Sequence, residues 1–535
     1  MVRLSPDNTF ERIRNISMVL PKRPKSAAQM QSASQLLQCG RVQAAAEAFA
    51  AVLLADPENH EALFKMGMAC NLQGKLDDAC TYYEKVLALT PNMAEANNNL
   101  GDIYYRQGHL DKALLRFERA RAERPGSAEA NNNIGNVLKD QGKLEEALAS
   151  YAKAMKSQPG NAVVMNNMGD ILRQLHRFAE ATSQLRKAIA LKPDLKEAHY
   201  NLSLVLFMLG DLAAGLPAYE SRLDVDRKSQ YAASGVWATL SQLAAVPRWQ
   251  GEPLRGRSLL IWTEQGIGDS LMMLRYLPKL VDRGAGKIVV YCAPALSGIF
   301  RGKADLILDN RSPLPVGCFD LHCPIMSLPY VFKTTLDSIP NAVPYLAAAE
   351  SFSSRWNKRL HDYPALKVGL AWAGNRALKS DRLRSFALER YAPLMTVPGV
   401  HFFSLQKGDA AQELQAKGWP IHDWMHDCGD LTETAALIDQ LDLIISVDTA
   451  VAHLAGALGK PIWLLNRFES EWRWMLERED SPWYPSMRIF RQPVVHDWDS
   501  VIGRVRNELA MLASTYRPAC AAPTRTKGLL AKLFR

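Results

Sequence analysis

The sequence predicts an array of helical-hairpin repeats followed by two doubly wound α/β domains. Three observations lead there. Proline recurs at 57, 91, 125, 159 and 193, always 34 residues apart. The period is lost after about residue 230. Beyond it, short apolar runs alternate with helical stretches, the pattern of parallel sheets covered by helices. A chain of 535 residues is too long for one core, so two or three domains are expected.

The repeat signal has several columns. Alanine stands at 45, 79, 113, 147 and 181, with Phe49, Tyr83, Phe117, Tyr151 and Leu185 four residues on, and glycine falls at 67, 101, 135 and 169. Small residues at this spacing suit two helices that approach closely, and the whole pattern resembles the tetratricopeptide repeat. The array should span residues 26–229 as a right-handed superhelix with a concave inner face, its end copies drifting as caps do. Asn99, Asn133, Asn167 and Asn201 occupy one place in helix A of four successive copies, where asparagine is a mediocre helix former. An amide that donates and accepts suits the backbone of an extended peptide. Duplication with helix-surface solvation is the other reading of that column.

Charge is unevenly placed. Residues 1–25 carry six Lys/Arg against two acids and residues 516–535 carry five Lys/Arg and no acid, so these two ends account for the formal charge of +9. A nucleic-acid groove is therefore not expected. The basic ends, with "GLLAKLFR", either meet an acidic membrane surface peripherally or are solvated. No apolar run approaches the ~18 residues of a membrane span and no signal core opens the chain, so a cytoplasmic protein is expected. The eight cysteines form no CxxC pair, as reduced thiols would not. Cys318/His322/Cys323 and His422/His426/Cys428 match no zinc spacing, and no metal site is expected.

After a linker at 230–255, the strand candidates are "SLLIW", "KIVVYC", "LKVGLAWA", "HFFSLQ", "DLIISVD" and "PIWLLN". Two α/β domains near 256–345 and 346–515 would hold a ligand in the crevice between them. In "EQGIGDS", Gly266 and Gly268 allow a tight turn, but the third glycine of a dinucleotide fingerprint would fall on Leu271, against a nicotinamide cofactor. Asp269 is either a helix cap or a carboxylate placed to take a proton from an incoming hydroxyl. In "GLAWAGNRALKSDRLRSF", a strand ends at Gly374-Asn375, and Lys379, Arg382 and Arg384 follow. They suit a diphosphate leaving group or are solvated loop charges. In "VDTAVAHLAGALGKP", Asp448 ends a strand, and the backbone of Thr449, Ala450 and Val451 opens a helix that favours an anion. His453 either orients that loop or is a core histidine. "DVD" at 224–226 and "DWD" at 497–499 lie where neither would hold a metal nucleotide.

Taken in order, "GIGDSLMMLRYLP", "GLAWAGN", "SLQ" and "VDTAVAHLAGALGKPIWLL" look like the bacterial heptosyltransferase-like glycosyltransferases, which have the GT-B fold of two facing Rossmann-like domains. With the repeats and "EWRWMLERED", the chain from 26 to 515 resembles the bacterial tetratricopeptide-repeat glycosyltransferases of that group. The resemblance implies a metal-independent transferase with no cofactor beyond its nucleotide-diphosphate sugar. It gives Asp269 the role of base and Asp448 with Thr449 to Val451 that of the donor-binding segment, with Ala450 where glycine is usual. The family's diphosphate-loop lysine has three competing matches, Lys379, Arg382 and Arg384. The asparagine column resembles the ladder of eukaryotic O-GlcNAc transferases, which favours a protein acceptor. A lipopolysaccharide or other glycan acceptor, and an inactive scaffold for protein-protein contacts, are the alternatives.

Overall fold

The computed structural model describes residues 25–224, 239, 241–315, 317–377, 381–415 and 417–517. Lys379 and nearly all of both basic ends lie outside the described residues, and with them the membrane-contact expectation. The chain divides into two compact units, Met1–Leu175 and His176–Arg535.

The first unit is the larger part of the repeat array: helices Lys25–Gln38 and Val42–Ala55, His60–Leu72 and Leu76–Leu89, Ala94–Arg106 and Leu110–Glu123, Ala128–Asp140 and Leu144–Ser157, then Ala162–Gln174. Each hairpin turns on a glycine in the left-handed region, as at Gly74, Gly108 and Gly142 with φ of 75 to 80°. Asn59 and Ser127 cap the helices that follow them by accepting from the N–H groups of Ala62 and Ala130 at 3.0 and 3.1 Å. The periodic prolines have a partner: buried Asn97 and Asn131 donate to the carbonyls of Pro91 and Pro125 at 2.9 and 3.2 Å, which fixes the turn between repeats.

The columns of small residues do what their spacing implies. A Cβ placed on Gly67, Gly101 or Gly135 would lie 2.7, 2.7 or 2.4 Å from the rings of Tyr83, Phe117 or Tyr151. Gly135→Ala therefore forces the Tyr151 ring out of its rotamer and is expected to cost ~1–3 kcal/mol, read as a lower urea midpoint for loss of helical circular dichroism.

The second unit opens with the continuing repeat helices Phe178–Leu191, Lys196–Met208 and Leu212–Tyr219 and the 3-10 turn Glu220–Leu223. Two parallel sheets follow. The first contains β1 (Ser258–Trp262), β2 (Lys287–Cys292), β3 (Leu306–Asp309) and β4 (Leu321–Pro324) in the order β3-β2-β1-β4. The second contains β5 (Leu366–Ala371), β6 (Val400–Ser404), β7 (Ile421–Asp423), β8 (Leu443–Val447), β9 (Ile462–Asn466) and β10 (Met487–Arg491) in the order β10-β9-β8-β5-β6-β7. Both are Rossmann-like. Strand order reverses beside β1 in one and between β5 and β8 in the other, the points at which such sheets bind ligands.

The repeat helices of this unit pack on the α/β part rather than standing clear of it. Phe207 and Tyr219 lie 4.8 and 6.0 Å from the Trp472 ring. Beneath them, buried Arg222 donates to Glu220 and to Glu264, both at 2.7 Å, and to Ser327 at 2.7 Å. The two sheets are in turn joined through Arg275, which donates to the carbonyls of Trp483 and Pro340 at 2.6 and 3.1 Å while lying over the Tyr345 and Tyr484 rings.

Candidate active site

The first wall of the site is the turn after β1. Gly266 ends the extended chain and helix Ile267–Met273 begins, with Asp269 in its first turn accepting from the Gly266 N–H at 3.0 Å. Asp269 thus caps the Gly266 N–H from inside the helix instead of standing at its N-cap. Gly268 makes room for the helix after β8: a Cβ there would sit 2.5 Å from the His453 ring.

The second wall is the loop after β5. Buried Gln406 accepts from the N–H groups of Trp372 and Ala373, both at 3.0 Å, and donates to the Ala373 carbonyl at 3.0 Å, so the glutamine of "SLQ" sets the course of the chain into Gly374. Gly374 donates to Ser385 at 2.9 Å, and a Cβ on it would meet Asp381 at 2.3 Å and the Arg384 guanidinium at 2.7 Å. Arg384 is held by buried Asp381 at 2.9 Å and is close enough to disfavour a charge on His453. Asn375 and Arg382 are exposed, and Asn375 accepts from the N–H of Ala377 at 3.1 Å.

The third wall is the end of β8. Asp448 is buried, Thr449 is the N-cap of helix Ala450–Ala457, and the first intrahelical N–H bonds run from Ala452 and His453 back to the Thr449 carbonyl. The N–H groups of Ala450 and Val451 precede that ladder and face outward from the helix end. His453 is buried, with Nδ1 2.9 Å from the Tyr484 hydroxyl and Nε2 3.8 Å from Asp448. Burial first, then the charge of Arg473, pushes its pKa down to about 3.

A histidine held neutral in the fold but free to protonate when unfolded removes stability on acidification. The loss is expected to begin as pH falls through the ordinary value of ~6.5 and to finish near the depressed one, so stability rises with pH across that window. His453→Gln should flatten this slope in urea titrations between neutral pH and pH ~4.

Sequence reasoning did not single out Arg473. It lies on the 3-10 turn Trp472–Trp474 past the end of β9, over the Trp472 ring at 4.6 Å, and its guanidinium is ion-paired with Asp269. A second nitrogen is 3.6 Å from Glu471. Burial opposes its charge, but Asp269 and Glu471 outweigh that and hold it protonated. Its trace in the sequence is the segment "EWRWMLERED", which carries part of the resemblance but gives Arg473 no role.

The structure therefore brings together Asp269, Gly374, Arg384, Asp448, the Thr449–Val451 backbone and His453, and adds Arg473. The asparagine column is a separate feature. Within the first unit it bonds across repeats: Asn133 donates to Asn98 at 3.1 Å, and Asn167 to Asn132 at 3.0 Å and Asn136 at 3.3 Å, while Asn99 donates to the Tyr83 hydroxyl at 3.3 Å. Asn201 belongs to the second unit. Among the described residues no group of three His, Cys, Asp or Glu side chains is arranged to hold a metal, and no helix is long and apolar enough to cross a membrane.

Comparison with known proteins agrees with the two-part architecture. Residues 58–122 and 98–162 match tetratricopeptide repeat families, and 169–210 a TPR repeat family. Residues 429–492 match glycosyltransferase family 9 (heptosyltransferase), a stretch that includes Asp448, His453 and Arg473. Protein FlbA of Caulobacter vibrioides is 28% identical over 354 residues, which cover 60% of this chain and 56% of FlbA; the chain spans little more than half the length of that relative. Among solved structures, MamA from Desulfovibrio magneticus is 22% identical over 32% of this chain and 97% of its own, with a TM-score of 0.31. TTC0263 of Thermus thermophilus is 23% identical over 34% of this chain and 98% of its own, with a TM-score of 0.29.

Proposed function

We propose that this chain, which carries tetratricopeptide repeats across its N-terminal region and a family 9 glycosyltransferase segment in its C-terminal region, transfers a sugar from a nucleotide-diphosphate donor to a hydroxyl of a protein held by the repeats. The observation that supports it best is the convergence of four strand ends, from β1, β5, β8 and β9, on one cluster in which a carboxylate of the first sheet's domain meets cations and a helix end of the second.

In this reading Asp269 takes the proton of the acceptor hydroxyl. The freed oxygen attacks the anomeric carbon from the face opposite the leaving group, inverting it, and the bond from that carbon to the diphosphate breaks. Arg384, Arg382 and the N–H groups of Thr449 to Val451 face the charge that develops on the nucleoside diphosphate, so cationic side chains and a helix end do the work and no bound metal or other cofactor is called upon. Asp448 accepts from donor hydroxyls, and neutral His453, fixed by Tyr484, holds the loop in shape. The reaction takes place in the cytoplasm, and the asparagine column binds the acceptor backbone.

The purified chain, given UDP-, GDP-, CDP- and ADP-linked sugars one at a time, is expected to hydrolyse one of them slowly and to transfer its sugar to protein in a cell lysate. Transfer to glycolipid alone would replace the protein acceptor, and turnover of none would end the transferase reading.

A further inference from the structure

We propose that Arg473 changes partners during turnover: the guanidinium paired with Asp269 passes to the donor diphosphate, and that exchange uncovers Asp269 as a base only when a donor is bound. The inference deepens the transferase reading and rests on it.

Geometry makes the pair an obstacle as well as a bond. Asp269 has one oxygen on the Gly266 N–H at 3.0 Å and the other on Arg473. A base has to lie within hydrogen-bond reach of the proton it takes, and the oxygen turned toward the second domain already holds a guanidinium. Arg473 in turn has more donors than partners. Its Nη groups face Asp269 and Glu471, whereas Nε is buried with no hydrogen-bond partner. Asp448, at the end of β8, also acts on its charge, so this cation stands among the carboxylates of both domains.

A diphosphate carries more negative charge than a carboxylate and offers two oxygens to the planar fork of an arginine, which makes it the stronger partner. Once the fork has moved, Asp269 accepts the hydroxyl proton, the hydroxyl oxygen bonds to the anomeric carbon, and the electron pair of the broken carbon–oxygen bond leaves on the nucleoside diphosphate that Arg473 now faces. The Gly266 N–H keeps the carboxylate in place throughout.

The exchange predicts a sign that a fixed support would not produce. UDP, GDP, CDP and ADP are titrated calorimetrically into the full chain and into Asp269→Asn, Arg473→Gln and Arg473→Lys. The nucleotide that binds the parent should bind Asp269→Asn roughly 3- to 10-fold more tightly, because the competing charge is gone, and Arg473→Gln at least ~10-fold more weakly, with Arg473→Lys between parent and Arg473→Gln. If Asp269→Asn binds no tighter than the parent, or Arg473→Gln binds as well, Arg473 is a fixed support and the exchange is wrong while the transferase reading stands. If the parent binds none of the four, the transferase reading fails and the exchange with it. Should Arg473→Gln not fold, the direction of change in Asp269→Asn, which keeps a capping side chain, decides alone.

Discussion

Asp269→Asn should transfer sugar ~10²- to 10⁴-fold more slowly than the parent, the range for loss of a general base. The helix start should hardly notice. The asparagine oxygen can still accept from the Gly266 N–H that Asp269 now holds at 3.0 Å, and a cap of this kind is worth only ~1 kcal/mol even when lost entirely. Buried Arg473 gives up its main counter-charge and keeps Glu471 at 3.6 Å. Breaking a buried pair costs ~3–5 kcal/mol, so a lower melting temperature is expected beside the slower rate. Initial rates with the donor found by hydrolysis, set beside a thermal melt followed by circular dichroism, separate the two effects. A near-parent rate in a folded mutant would remove Asp269 from the mechanism.

The asparagine column should give the largest change in acceptor use. Each backbone hydrogen bond to a side-chain amide is worth ~0.5–1.5 kcal/mol, so alanine at Asn99, Asn133, Asn167 and Asn201 together should weaken an extended peptide by several kcal/mol, enough to lose protein labelling while donor hydrolysis continues. The cross-repeat bonds add a second effect. Asn133 and Asn167 are tied to Asn98 and Asn132 of the preceding repeat, so the same mutant should also unfold at lower urea. Asn98→Ala with Asn132→Ala provides the control, because it breaks these ties and leaves the column itself in place. Equal loss of labelling by control and quadruple mutant would mean the column supports the stack and does not bind the acceptor.

The limits of what the sequence revealed follow a physical line. All six strands read from apolar runs exist, and they are β1, β2, β5, β6, β8 and β9. The four it missed, β3 "LILD", β4 "LHCP", β7 "IHD" and β10 "MRIFR", are the four sheet edges. Edge strands have one hydrogen-bonded neighbour, and short length and polar residues there discourage further pairing, so they lack the signal that makes a central strand legible. The site divides in the same way. Asp269, Gly374, Asp448 and His453 were visible because each follows a central strand within a small-residue turn. Arg473 was not, because its pairing with Asp269 spans 204 residues of sequence and depends on how two sheets face each other. The ties of Asn97 and Asn131 to the carbonyls of Pro91 and Pro125 sit at the start of each "NNN" run, six residues after its proline, where the sequence carries their spacing but not their bond.

The boundary after Leu175 has a practical meaning for anyone who would cut or recombine this chain. A fragment begun at residue 230, where the period fades, would strip Phe207 and Tyr219 from Trp472 and leave Glu264 buried without Arg222. A fragment begun at residue 176 keeps all of them. The final repeats are thus part of the packing of the α/β half, and a fragment meant to keep the candidate site has to include helices Lys196–Met208 and Leu212–Tyr219.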